Sequence, residues 1–184
     1  MRKIYILISL VLLFSLDMAR WQTKDYKEKL ESLYNHSVPI ILSKDLEIEL
    51  DNGLPLIILD TRSAEEYEVS HLNGARLVDY DHFEKKDVID IPQNSRIIVY
   101  CSVGYRSEKI GEELLEMGYS DVRNLYGGIF QWKNEGFEVV NKKSVETDSV
   151  HTYNKSWSKW LENGIKVYWW DNAPLQKNCR YAEN

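Results

Sequence analysis

The chain has 184 residues, 43% of them hydrophobic, enough for one domain with a substantial core plus an extension and too little for two ordinary domains. Its net charge of −6 at pH 7, with no cluster of lysines and arginines, argues against a nucleic-acid partner, because phosphate binding needs clustered cations. Two cysteines, Cys101 and Cys179, are too few to staple a scaffold, so stability must come from the core, and the sequence leaves open whether the two meet.

In chain order, the first feature is a basic start, Met1-Arg2-Lys3, followed by an apolar run from Ile4 to Leu16 of about 13 residues, the length of a secretory h-region rather than a spanning helix. Residues 1–19 are expected to be an export signal, or an N-terminal anchor if uncleaved, which places the domain outside the cytoplasm, periplasmic or secreted. A cut after Ala19 would put Asp17 in a recognition position, whereas a cut after Ser15 leaves small or apolar residues there. No cysteine follows the run, so a lipid-anchored form is not supported.

Tyr26, Leu30, Leu33 and Tyr34 recur at helical spacing and predict an amphipathic helix over 24–34, within an N-terminal arm over 20–36. Short apolar runs then alternate with helical stretches. Val38 to Leu42, Leu54 to Leu59, Ala75 to Val78, Arg96 to Tyr100 and Val122 to Leu125 are five strand candidates, and their spacing predicts a parallel α/β sheet. After Arg106, Ile110, Leu114 and Met117 share one helical face and Gly118 is its stop.

The main domain is expected over 37–140, and 141–184 is expected to be a linker followed by an aromatic extension. Asn141 to Ser149 is polar and charged, as a linker or surface loop would be. Tyr153, Trp157, Trp160 and Leu161 then follow helical spacing, Asn163-Gly164 is a stop, and Ile165 to Trp170 can form a strand. The tail admits two readings: a flap covering apolar surface of the domain, or a surface for a protein partner, where Trp and Tyr are favoured.

The candidate site lies between Ile97 and Ser107, which reads as a buried strand ending in Cys101, then a short loop with Gly104 that opens a helix. Backbone N–H groups at a helix start point toward such a sulfur, and the positive end of the helix dipole favours a negative charge on it. Ser102, Val103, Gly104, Tyr105 and Ser107 supply the loop backbone, and Arg106 adds a cation at the rim to steer an anionic substrate. The bland alternative is a small buried cysteine ending a strand. Asp60 and Arg62 end a strand on the edge where α/β proteins place ligands and are read as a supporting ion pair or hydrogen-bond anchor. His71 is read as a hydrogen-bonded structural residue, and His36, His82 and His151 show no ligand spacing, so neither metal nor cofactor is expected.

Over roughly residues 37–140 the chain resembles the rhodanese family of sulfurtransferases. Four stretches carry the likeness: Leu59-Asp60-Thr61-Arg62 with Glu66; Ser70-His71-Leu72-Asn73-Gly74-Ala75; Cys101 to Ser107; and Leu125-Tyr126-Gly127-Gly128-Ile129 with Trp132 and Gly136. The resemblance implies a five-stranded parallel sheet flanked by helices. It implies a Cys101 nucleophile that carries sulfur as a persulfide, taken from a small anion such as thiosulfate and passed to a thiol or cyanide. The family commonly has Gly before the His of the second stretch, where this chain has Ser70, so that turn is expected to be tighter or reshaped.

Two rivals remain. Cysteine phosphatases and arsenate reductases also use a Cys-to-Arg loop against an oxyanion, but the related phosphatases enclose five residues where Cys101 and Arg106 enclose four, and tyrosine phosphatases usually carry His where Tyr100 stands. A non-catalytic binding module is the other, although such modules often lack the cysteine that is present here.

Overall fold

The computed structural model describes residues 24–168 and the backbone of 180–181. The expected leader, Trp169, Trp170 and Cys179 lie outside the described residues. The chain divides into two compact units, 1–33 and 34–184. In the first, a helix over 24–31 (α1) buries Tyr26 and Leu30 and ends in a turn at 32–33. The helical spacing of Tyr34 therefore does not continue the helix.

The second unit is built on the sequence of short apolar runs. Strands β1 (Ile40–Ile41), β2 (Ile57–Asp60), β3 (Arg76–Leu77), β4 (Arg96–Tyr100) and β5 (Asp121–Leu125) form one sheet in the order β1-β5-β4-β2-β3, every pair parallel. All five strand candidates are present. The central strand β4 is buried from Ile97 to Tyr100, as a strand covered on both faces must be.

Helices α2 (Ser43–Asp51), α3 (Ala64–Val69), α4 (Tyr105–Glu116) and α5 (Gly128–Asn134) connect and cover the sheet. Helix α3 starts at a reciprocal cap, Ser63 accepting from the Glu66 N–H while the Glu66 carboxylate accepts from the Ser63 N–H. Helix α4 packs Ile110 and Leu114 into a core with Val38, Leu59, Ile97, Val99 and Val122. With all strands parallel, the ends of β2, β4 and β5 and the starts of α3, α4 and α5 gather at one edge of the sheet, where such proteins place their sites.

Past the sheet, the segment read as a polar linker carries a hairpin instead: β6 (Val139–Val140) pairs antiparallel with β7 (Glu146–Thr147). Asn141 makes the turn, its side-chain oxygen accepting from the Lys143 and Val145 N–H groups. Next, β8 (Ser149–His151) pairs parallel with β9 (Ile165–Tyr168), which pairs antiparallel with β10 (Arg180–Tyr181), and β8 lies against α3. The predicted tail helix is only one turn, α6 (Lys155–Ser158), capped by the Asn154 side chain on the Trp157 N–H. Val150, Leu161, Val167 and Tyr168 are buried, whereas Tyr153 is exposed.

Candidate active site

Cys101 follows the end of β4 and is 1% exposed. The loop after it turns back so that the Gly104 N–H donates to the Cys101 sulfur at 3.1 Å. Gly104 caps α4 in the left-handed region with φ of 97°, a conformation that glycine enters without strain. The N–H groups of Tyr105, Arg106 and Ser107 fall in the first turn of α4, where the helix offers no acceptor, so the positive end of its dipole lies at the cysteine loop.

Around this cradle the other loop side chains are committed to the scaffold. The Ser107 hydroxyl donates to Asn124 Oδ1 at 2.7 Å, and Asn124 Nδ2 donates to the Gly104 carbonyl at 2.9 Å. Val103 is buried, and the Tyr105 ring stands exposed at the rim. Arg106 meets Glu66 in a two-bonded fork, 2.9 Å on each side, and also reaches Ser102 Oγ at 3.2 Å. Ser102 Oγ in turn donates to Glu66 at 3.0 Å.

Glu66 is buried, and burial alone would push its carboxyl up. The hydrogen bonds and charge of Arg106, with the charge of Arg62, hold it down at about 2. Burial likewise works against the Arg106 cation, and the Glu66 hydrogen bonds keep it protonated. An incoming anion therefore meets a guanidinium whose charge is already offset, and the positive potential of the cradle comes chiefly from backbone N–H groups.

Asp60 and Arg62 lie fully buried beneath the loop and form an ion pair at 2.7 Å. Arg62 also donates to the Ser70 carbonyl at 2.6 Å. The Tyr100 hydroxyl donates to Asp60 and accepts from the Leu72 N–H, so β2, β4 and the 70–72 turn are locked together directly before Cys101. Ser70, where glycine was the expected residue, is extended with φ of −165°, a conformation open to any residue, so the turn needs no glycine. His71 stacks on Tyr67 at 3.7 Å and its backbone bridges to Val140, a structural role as expected.

The second wall comes from the Gly127-Gly128 turn. A Cβ at Gly128 would lie 2.2 Å from the Cys101 carbonyl oxygen, so only glycine lets the start of α5 approach the loop. The Ile129 and Phe130 N–H groups then donate to the Cys101 and Ser102 carbonyls at 2.9 and 3.1 Å, turning those carbonyls outward from the cradle.

Tyr34, Glu66 and Asn124 belong to the site but were not among the predicted site residues. Glu66 was legible as part of a motif, whereas Asn124 is one of three polar residues in β5 and only its burial, 1% exposed, sets it apart. Tyr34 carried no such signal.

A model of the rhodanese-like domain family matches residues 42–135. Among curated proteins, the chain is 37% identical over 145 residues to a tRNA uridine(34) hydroxylase of Streptococcus sanguinis, covering 69% of this chain and 41% of that protein. It is 29% identical over 96 residues to a probable adenylyltransferase/sulfurtransferase of Mycobacterium tuberculosis, covering 52% of this chain and 24% of that one. The chain thus spans under half the length of these relatives. A rhodanese-like domain protein from Staphylococcus aureus superposes with a TM-score of 0.51 at 28% identity, covering 56% of this chain and 98% of that one. A thiosulfate sulfurtransferase from Pseudomonas aeruginosa shares the fold at a TM-score of 0.55 and 22% identity, over 65% of this chain and 23% of that one. With the family model matching residues 42–135 and a parallel five-stranded sheet to carry it, the chain belongs to the rhodanese-like domain family.

Proposed function

We propose that the chain transfers sulfane sulfur through a persulfide on Cys101. The observation that carries the reading is the Gly104 N–H on the Cys101 sulfur within a loop enclosing four residues, a cradle that suits a negative sulfur in both its free and loaded forms. The Cys101 thiolate attacks the outer sulfur of thiosulfate, the S–S bond of the donor breaks, and its electron pair leaves with sulfite. Cyanide or a thiolate then attacks the outer sulfur of the persulfide, and the pair returns to Cys101. The name of the mycobacterial relative supports sulfur transfer as the chemistry.

The four-residue loop favours this reading over a phosphatase, whose wider cradle fits phosphate. Hydroxylation of tRNA, suggested by the streptococcal relative's name, is disfavoured by the net charge of −6. We carry the export reading of the first 19 residues as part of the same proposal, which places the reaction outside the cytoplasm. Mass spectrometry of the full chain after thiosulfate treatment tests the chemistry: a reducible gain of one sulfur atom on Cys101 is expected, and its absence sinks the reading.

A further inference from the structure

We propose that Tyr34 is a positioning residue for the cysteine loop, its hydroxyl fixing the Val103–Gly104 peptide with the N–H toward the Cys101 sulfur. Tyr34 lies outside the residues matched by the family model, 42–135, and it is buried. Its hydroxyl donates to the Val103 carbonyl at 2.6 Å and accepts from the Gly127 N–H at 2.9 Å. The direction of both bonds is fixed, because a carbonyl can only accept and an N–H can only donate.

The consequence follows from peptide geometry. In a planar trans peptide the C=O and N–H point in opposite directions, so holding the Val103 carbonyl on Tyr34 aims the Gly104 N–H the other way, onto the sulfur 3.1 Å from it. Without the hydroxyl, that carbonyl could swing toward the sulfur and set a partial negative charge against it. The contact is close: a Cβ at Gly104 would fall 2.1 Å from Tyr34 Oη.

The ring is held in place by its own chain segment. The Asn35 and Ser37 N–H groups donate to the Glu108 carboxylate at 2.9 and 3.0 Å, fastening residues 35–37 to the first turn of α4. Tyr126 meets the ring edge to face at 5.7 Å. Tyr34 therefore clasps both walls of the site, the cysteine loop and the Gly127 turn, from one hydroxyl.

The catalytic consequence rests on the persulfide reading, but the geometry does not, and the test separates them. Proton–nitrogen NMR spectra of the full chain and of Tyr34→Phe are compared at the Gly104 amide, alongside steady-state thiosulfate-to-cyanide kinetics. The expected result is an upfield move of the Gly104 amide proton in the variant with core amides unchanged. With it, kcat falls about tenfold and KM for thiosulfate stays within about twofold, since the group lost acts on the reacting sulfur rather than on donor binding. An unmoved Gly104 amide overturns the proposal whatever the activity. A moved amide with no sulfur transfer even in the unmutated chain sinks the persulfide reading and leaves the positioning role standing. If Tyr34→Phe fails to fold, Glu108→Gln, which loosens residues 35 and 37 with Tyr34 intact, is expected to move the same amide by less, and no movement there overturns the proposal.

Discussion

Serine at position 101 would keep nearly the size of the thiol while losing its nucleophilicity, and the site around it is closed enough for size to matter. Cys101→Ser is expected to abolish sulfur transfer with an unchanged circular dichroism spectrum and melting temperature; retained turnover would remove Cys101 from the chemistry. The Glu66–Arg106 fork makes a sharper prediction. The Glu66 carboxyl, held at about 2 in the fold, is ordinary in the unfolded chain, so its stabilisation is complete above about pH 4.5 and is lost as pH falls toward 2. The slope from this one group reaches about 1.4 kcal/mol per pH unit, and Glu66→Gln is expected to flatten it in urea titrations run across that window. Arg106→Ala strips the buried Glu66 carboxylate of its ion-pair partner and both guanidinium hydrogen bonds and is expected to destabilise by about 3–5 kcal/mol, measured by chemical denaturation. A loss confined to thiosulfate use, with stability intact, would mean that the arginine serves the substrate rather than Glu66. At this scale the sequence was legible where chemistry is local: Cys101, its loop and the Asp60–Arg62 pair lie within short stretches, whereas the 69-residue separation of Tyr34 from Val103 leaves no local trace.

Among the elements, the sheet strands were readable because each lies in or beside a short stretch with apolar residues bounded by turn residues, most plainly β2 and β4, and burial on both faces of β4 erases any need for alternation. The hairpin over 139–147 was not readable, since the polar turn between its two short strands resembles a linker. Nor was the end of α1, because Tyr34 keeps helical spacing while the chain after it is drawn to Glu108. Strand β8 brings His151 to a fully buried position beside α3, where its Nδ1 accepts from the Tyr153 N–H at 3.2 Å and is therefore unprotonated. Burial first of all holds the ring down at about 4, with the Arg62 and Arg106 charges adding to the effect and Glu66 opposing it. The unfolded chain takes up a proton near pH 6.5 and the folded one does not, so stability falls between about pH 6.5 and 4 and levels off below. His151→Gln is expected to remove this limb of the melting curve while leaving the Glu66 limb at lower pH; an unchanged profile would show that His151 is not the titrating group.

For the whole molecule, the parallel sheet decides where function can sit, since the ends of β2, β4 and β5 and the starts of three helices meet at one edge. Among the described residues, those of that assembly all come from beyond position 33, and removal of Met1 to Ser15 is expected to leave a soluble, active chain in the cytoplasm, while the intact chain fractionates outside it. Misfolding of the shortened chain, or cytoplasmic recovery of the intact one, would refute the export proposal. Fold class was legible at this scale because strand number and parallel order follow from the short apolar stretches, but β8 to β10 lie beyond the residues matched by the family model, and of these three only β9 was expected, within Ile165 to Trp170.

The near-complete burial of Cys101 also makes the sulfur cargo self-reporting. Under the persulfide proposal, the carried atom sits one bond beyond Sγ, so loading replaces a recessed nucleophile by one closer to whatever arrives at the loop. A bulky alkylating reagent would then label charged molecules faster than empty ones, whereas a small reagent would discriminate less. Under the same proposal the depth of the thiol acts as a steric toll gate: it shields the unloaded cysteine from large electrophiles and oxidants, and it presents a reactive sulfur to acceptors only once there is a sulfur atom to hand over.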